Sequence, residues 1–283
     1  MAETTMRPIS SLSAEVAHNL VGVFTDIDDT ITTDGRLPAA AYDALERLHD
    51  AGLAVVPITG RPAGWCDMVA RFWPVSGVVG ENGAFYFRYD HRARKMIRHF
   101  AASPAERAGN RRKLEALAER ILKEVPGAAI ASDQLYREAD LAIDFREDVE
   151  PLPPDAVDRI VALFHEAGAV AKVSSIHVNG WFGQYDKLSM TRVFVRDALG
   201  LDLEATRSLF VFCGDSPNDE PMFSFFPCGC GVANVRDFAS RMTALPAFVS
   251  EARGGAGFVE IANRILSARA GTESASVAAG RAP

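Results

Sequence analysis

No stretch of this chain is apolar for long enough to cross a bilayer. Its first residues, MAETTMRPISSLSAEV, lack the charged-then-apolar order of a signal peptide, so a cytoplasmic location is the expectation. Cysteine is scarce: Cys66, Cys213, Cys228 and Cys230 are the full complement. A single residue separates Cys228 from Cys230, whereas structural zinc pairs leave two to four, and no His or Cys pair completes a set. All four read as reduced residues in or near the core. Positive charge is in deficit, with a net charge of -7, which argues against a general polyanion binder. The short basic run from Arg88 to Arg98 has no interleaved aromatic platform and reads as a solvated loop or strand face. No internal repeat is present. What remains is the composition of an ordinary soluble protein, 48% hydrophobic and 24% charged over 283 residues, enough for one large or two medium domains.

Against that background two acidic clusters stand out. Asp26-Ile27-Asp28-Asp29-Thr30 directly follows the apolar run Val21-Gly22-Val23-Phe24. Much later, Leu209-Phe210-Val211-Phe212-Cys213 runs into Gly214-Asp215-Ser216-Pro217-Asn218-Asp219. Carboxylates at the end of a buried strand are costly to desolvate unless compensated, and a divalent ion with hard oxygen ligands compensates them most directly. Either cluster alone could be a turn or a helix cap, the usual role of Asp-rich stretches. A calcium loop of the EF-hand type is excluded by Ile31 and Leu37, where that loop needs Gly and Glu. Two such strand ends in one chain point to a single metal site assembled by the fold.

Strand and helix signals alternate around both clusters. A helical pattern from Pro38 to Leu48 stops at Gly52, a buried strand covers 53–59, a helix spans about 64–72 and a short strand follows at 77–79. The pattern resumes with a helix over 188–199, a strand over 209–213, a helix over 219–225, a strand over 229–232 and a last helix over 257–266. This order predicts an α/β protein with a Rossmann-like, doubly wound parallel sheet, whose ligands bind at the carboxyl ends of the strands. Asp26, Asp28, Thr59 and Asp215 all fall just past such ends. Between the two halves, strand signals come in adjacent pairs with two helices between them, which predicts an inserted α+β domain with an antiparallel sheet. The expected division is a core of 1–88 and 184–268, an insertion of 89–183, and a disordered tail of 269–283.

The Asp26/Asp28 pair, Thr59, Lys187 (opening a helix in Tyr185-Asp186-Lys187-Leu188) and Asp215/Asp219 occur in the order of the four motifs of the haloacid dehalogenase superfamily. The chain resembles its larger-capped subclass, IIB, which includes Cof-like sugar phosphatases, sucrose-phosphate and trehalose-phosphate phosphatases and phosphomannomutases. The flanking run Glu81-Asn82-Gly83-Ala84 and the position of the insertion extend the resemblance over nearly the whole chain. It implies that Asp26 is a nucleophile forming an aspartyl phosphate and that Asp28 is the acid/base. It also implies Mg2+ held by Asp26, Asp28, Asp215 and Asp219, a hydrogen bond from Thr59 to a phosphoryl oxygen, and charge neutralisation by Lys187. Asp29 stands where many relatives have Gly, and Pro217 stiffens the Asp215 loop.

The insertion reads as a cap over the phosphoryl site. Alternation along 173–182 puts Ser175, His177 and Asn179 on one face and Ile176 and Val178 on the other, so the polar face is either solvated or turned towards sugar hydroxyls. Arg137, Asp140 and Asp144 have similar standing, while Gly60, Arg61, Asn82 and Asn218 are core-side candidates for binding substrate. The expected function is a magnesium-dependent phosphatase acting on a sugar phosphate or similar small phosphorylated metabolite. The expected protein binds neither nucleic acid nor membrane and is a monomer or small homo-oligomer. Two alternatives are a phosphomutase on the same scaffold and a sugar-phosphate sensor of low turnover.

Overall fold

The computed structural model describes residues 6–174 and 176–279, with side chains as far as Ala270. The chain divides into two compact units. One holds the chain up to Ile58, Phe72–Val78 and everything from Arg192 onward; the other holds Thr59–Arg71 and Val79–Thr191.

The first unit is built on a six-stranded sheet whose spatial order is Arg7–Pro8, Phe248–Val249, Cys228–Gly231, Phe210–Gly214, Gly22–Thr25 and Ala54–Pro57. Every neighbouring pair in it is parallel. Phe210–Gly214 and Gly22–Thr25 are buried along their whole length, as expected of apolar strands covered on both faces. The helix Ala39–Asp50 packs through Ala41, Ala44, Leu45 and Leu48, one stripe at helical spacing. These side chains join Val23, Val55, Val211, Phe258 and Ile261 in one core cluster. Phe24 stacks on Phe210 with ring centroids 4.8 Å apart and leans on Phe226 at 5.5 Å.

The second unit carries a four-stranded antiparallel sheet in the order Ala129–Ile130, Leu141–Asp144, His177–Trp181, Val170–Val173. Its two long helices are Pro104–Glu124 and Pro154–Glu166. The first opens with a capping box between Ser103 and Glu106, and both begin with proline where no N–H is needed. Leu114, Leu117, Ile121, Ile160, Leu163 and Phe164 seal the helices against Ile143 and Val178. Phe85–Asp90 and Lys95–Phe100 form an antiparallel hairpin that carries the basic run, with residues 91–95 exposed.

The α/β class, the parallel sheet and the paired strands of the insertion agree with the sequence reading. Several details differ. The second unit begins at Thr59 and ends at Thr191, well outside the expected insertion of 89–183. Internal polar bonds explain this, because the Glu81 carboxylate and the Gly60 carbonyl are both tied to residues 137–140. Val78–Gly80 belongs to a three-stranded sheet with the hairpin and does not extend the parallel one. The last helix runs over Gly254–Ala279 and so covers most of the segment expected as a disordered tail, an Ala-rich stretch of good helix propensity; residues 280–283 lie outside the described ones. All four cysteines are free and buried. Among the described residues no helix is long and apolar enough to cross a membrane.

Candidate active site

Asp26 enters its position as the residue after Gly22–Thr25, and its N–H donates to the Cys213 carbonyl of the neighbouring strand at 2.9 Å. That bond fixes the end of one strand against the end of the next. Asp215 follows Phe210–Gly214 directly, and Asp219 closes the short turn Pro217–Asp219. The Asp215 N–H donates to Asp219 Oδ2 at 3.1 Å, and Thr30 Oγ1 donates to Asp215 Oδ1 at 3.4 Å. Gly214 makes this folding possible, since a Cβ there would lie 2.4 Å from Asp219 Oδ2.

The consequence is three buried carboxylates, Asp26, Asp215 and Asp219, with oxygens all within 4.8 Å of one another. Burial, followed by the charges of Asp219, Asp26 and Asp29, holds the Asp215 carboxyl well above the usual carboxylate range. Like charges packed this tightly need a cation, and a donor set made only of oxygens suits a hard divalent one. The cluster fits a metal ion.

Asp28 is half-buried, two residues beyond Asp26. Asp29 has φ of +57°, the left-handed region that favours glycine and that Asp tolerates better than most residues. This is the physical counterpart of the glycine expected at that position. Its N–H donates to Thr32 Oγ1 at 3.0 Å and its carbonyl accepts from Asn234 Nδ2 at 2.9 Å, which secures the turn. The carboxylate nonetheless acts on Asp215 through space. Asn218 is half-buried and its Oδ1 accepts a hydrogen bond from Ser216 Oγ at 3.0 Å, within the same turn as Asp219.

The second unit holds the other sequence candidates. Thr59 is fully buried, and its Oγ1 accepts the Arg61 N–H at 3.0 Å. Lys187 is buried at the first position of Lys187–Phe194. Asp186 and Ser189 cap that helix reciprocally, the Ser189 N–H donating to Asp186 Oδ1 at 2.7 Å and the Asp186 N–H to Ser189 Oγ at 2.9 Å. Residues 81–83 all have positive φ, and Gly83, at +105°, packs so closely that a Cβ would meet the Asp186 carbonyl oxygen at 2.0 Å. Gly83→Ala is therefore expected to lower unfolding free energy by at least about 2 kcal/mol in denaturant titration, because both the backbone angle and the space refuse it.

Glu81, buried in this loop, collects backbone N–H groups. Its Oε1 accepts from Ala63 at 3.0 Å and Glu138 at 2.9 Å, and its Oε2 from Ala139 at 2.6 Å and Asp140 at 3.2 Å. Burial and the nearby Asp140 push its carboxyl up to about 8, against the pull of Arg137 and these N–H donors. Arg137 is a buried hub. It donates to both Asp133 oxygens at 2.9 and 3.1 Å, to both Asp140 oxygens at 3.1 Å and to the Gly60 carbonyl at 3.0 Å.

Asn179 donates to Asp140 Oδ2 at 3.0 Å and so belongs to that hub. The Asp144 carboxylate accepts the backbone N–H groups of Arg146, Glu147 and Asp148 at 2.8–2.9 Å, a turn-capping role. The polar face of His177–Trp181 is thus buried and not solvated, with His177 only 3% exposed. Ser175 lies outside the described residues. Sequence reasoning missed Glu147, which stands on an irregular loop with no periodic signal, yet its Oε2 is 2.9 Å from His177 Nε2.

A family model for haloacid dehalogenase-like hydrolases matches residues 23–108. Among curated proteins none matches the sequence. Solved structures share the fold. A haloacid dehalogenase-like hydrolase from Bacteroides thetaiotaomicron superposes with a TM-score of 0.62 at 14% identity, covering 87% of this chain and 99% of that one. The sucrose-phosphatase of Synechocystis sp. PCC6803, solved with sucrose and phosphate, gives 0.61 at 14%, covering 87% and 97%. The subclass IIB sugar phosphatase BT4131 gives 0.55 at 16%, covering 81% and 92%. The family model matches the first part of the chain, and over most of its length the chain has the fold of these haloacid dehalogenase-like structures, a subclass IIB sugar phosphatase among them.

Proposed function

We propose that this protein is a magnesium-dependent phosphatase that releases phosphate from a sugar phosphate or a similar small phosphomonoester. The observation that carries the reading is the trio Asp26, Asp215 and Asp219, with oxygens within 4.8 Å of one another at adjoining strand ends and Asp28 two residues along. A carboxylate nucleophile next to a second carboxylate of a different environment is the equipment for covalent phosphoryl transfer. An Asp26 oxygen attacks phosphorus, the bond to the leaving alkoxide breaks, and Asp28 gives that alkoxide a proton. Asp28 then takes a proton from water as the water oxygen attacks phosphorus, and the bond to Asp26 breaks to free inorganic phosphate. A magnesium ion held by the carboxylates of Asp26 and Asp215, the Asp28 carbonyl and Asp219 would supply positive charge against the phosphoryl oxygens.

The resemblance assigns Thr59 a hydrogen bond to a phosphoryl oxygen and Lys187 the neutralisation of its charge. These roles, and substrate contacts from Gly60, Arg61, Asn82, His177, Asn179 and Asn218, are part of the proposal. A sugar ester as substrate is supported by the named activities of the sucrose-phosphatase and of BT4131.

A panel of phosphorylated metabolites, read by phosphate release, tests this function. Isomerised sugar phosphate in place of free phosphate would identify a mutase, and binding without turnover a sensor. Exhaustive chelation is expected to abolish turnover, and added Mg2+ to restore it, since the cluster offers hard oxygen ligands alone. Undiminished turnover after chelation would overturn the metal role.

A further inference from the structure

Apolar side chains scattered singly over a surface need no explanation, whereas a contiguous patch of them does. The second unit carries such a patch. Leu135 is 92% exposed and Tyr136 58%, side by side on the short turn Gln134–Tyr136. Tyr136 lies against the helix Ala63–Phe72 at Gly64, where a Cβ would come within 2.9 Å of the Tyr136 Cβ. Met68 stands one turn beyond Gly64, and Trp65 shares its face of the helix. Both are exposed, while Cys66, Val69 and Ala70 bury the opposite face. Beyond the turn, Leu135 helps to line a groove of about 400 Å³ with the exposed Leu122 and Ile130 and the buried Leu114 and Ala118.

The two ends of this surface carry opposite charge. Glu115, Glu119 and Glu138, all exposed, line the groove. Arg111 lines it too, but its Nη2 is already committed to the Arg137 carbonyl at 3.1 Å. Further along the same helix Glu124 is neutralised by Arg120 and Arg159, so the acidic stretch is local to the groove. The basic hairpin flanks the helix Ala63–Phe72 on its other contacts. Arg98 Nη2 lies 2.7 Å from Asp67 Oδ2, and the Arg71 guanidinium stands 4.9 Å over the Tyr89 ring. The exposed hairpin tip, residues 91–95, holds Arg92, Arg94 and Lys95 with no acidic residue among them. Followed from contact to contact, the surface runs from basic tip to apolar helix and turn to acidic groove, all within one unit.

We infer that this surface is a two-fold interface between two copies of the chain. The hairpin tip of each copy seats on the acidic groove of the other, and Trp65, Met68, Leu135 and Tyr136 are buried around the axis. An isologous contact sets a surface against itself in reverse. A patch with opposite charges at its two ends is then complementary to its own copy at both ends at once. An apolar centre with a charged rim is the make-up of a specific interface, and Trp and Tyr are the side chains that most often anchor one. Copies with a net charge of -7 repel each other in most other orientations, which leaves the opposed ends to set the register. A leucine as exposed as Leu135 does little for the fold of its own chain; the second copy buries it. The pairing is independent of whether the protein is a phosphatase.

Sedimentation velocity on the full chain, from about 1 to 200 µM, should show a monomer–dimer equilibrium. Leu135→Asp should raise the dimer dissociation constant by at least about thirtyfold, the loss of a central anchor, with far-UV circular dichroism unchanged. Charge reversal at the tip, Arg92→Glu with Lys95→Glu, should weaken self-association by at least about tenfold, and so should reversal at the groove, Glu115→Arg with Glu119→Arg. An equimolar mixture of these two variants should dimerise again, to within about threefold of the unaltered chain, because every hairpin then meets a groove of opposite sign. A chain that stays monomeric across the whole range would overturn the pairing, including where a basic peptide or an ester substrate is found in the groove instead. So would a dimer indifferent to Leu135→Asp, or a mixture that associates no better than either variant alone.

Discussion

Replacing Asp26 by Asn is expected to reduce phosphate release by at least about 10⁴-fold while leaving the fold intact, because an amide of equal volume cannot form the aspartyl phosphate. Asp28→Asn should lower turnover by roughly 10²–10⁴-fold, the usual contribution of a positioned acid/base. The two losses should be distinguishable. Esters with very acidic leaving groups need no proton, so Asp28→Asn should be partly rescued on an activated aryl phosphate, and Asp26→Asn should not. Stability gives an independent readout. Asp26 shares a buried cluster with Asp215 and Asp219, and removing one of three like charges should stabilise the protein in chelator. A gain on the order of 1 kcal/mol would raise Tm by about 2–4 °C. With saturating magnesium the same substitution should lose that advantage, since the ion then has one ligand fewer. Near-normal activity in Asp26→Asn would end the covalent mechanism.

Much of this arrangement is legible in the sequence, and the reasons are specific. Val23, Phe24 and Phe210–Phe212 are apolar without alternation, which marks strands buried on both faces. Acidic residues immediately after such strands are conspicuous because little but function accounts for them there. The helix Ala39–Asp50 announces itself by the spacing of Ala41, Leu45 and Leu48. In contrast, Arg7–Pro8 and Phe248–Val249 are two-residue strands at one edge of the sheet, too short to carry a period. The limits of the second unit were hidden for another reason. They depend on where the Glu81 carboxylate and the Gly60 carbonyl find partners, and those partners lie 50 to 80 residues away in the chain. Polar alternation along His177–Trp181 was visible, but whether that face met solvent or protein was decided by Arg137 and Glu147, which carry no local signal. Asp29 shows the limit most sharply. Its identity breaks the expected glycine, yet the backbone keeps the glycine conformation.

Arg137→Leu is expected to cost about 3–5 kcal/mol of unfolding free energy, far more than any surface ion pair in this protein. The side chain is 1% exposed, and its guanidinium holds Asp133, Asp140 and the Gly60 carbonyl together. A leucine fills part of the volume but leaves Asp140 and Glu81 buried without their cation. By comparison, the pairs Arg47–Asp43 and Arg192–Glu204 are well exposed, and breaking either should change stability by less than about 1 kcal/mol. The loss at Arg137 should also depend on pH in a definite sense. Burial already raises the Glu81 carboxyl from 4.5 to about 8 and moves Asp140 upward too. Between the unfolded and folded values the folded chain binds more protons than the unfolded one, so stability falls as pH rises through that window. Without Arg137 both carboxyls should rise further, and the variant's deficit should shrink as pH is lowered from 8 towards 5, where protonation removes the unpaired charge. Asp140→Asn added to Arg137→Leu should recover part of the loss at pH 8 and little at pH 5. A deficit that stays constant across this range, in denaturant titrations at each pH, would mean that Arg137 contributes through packing and not through its charge.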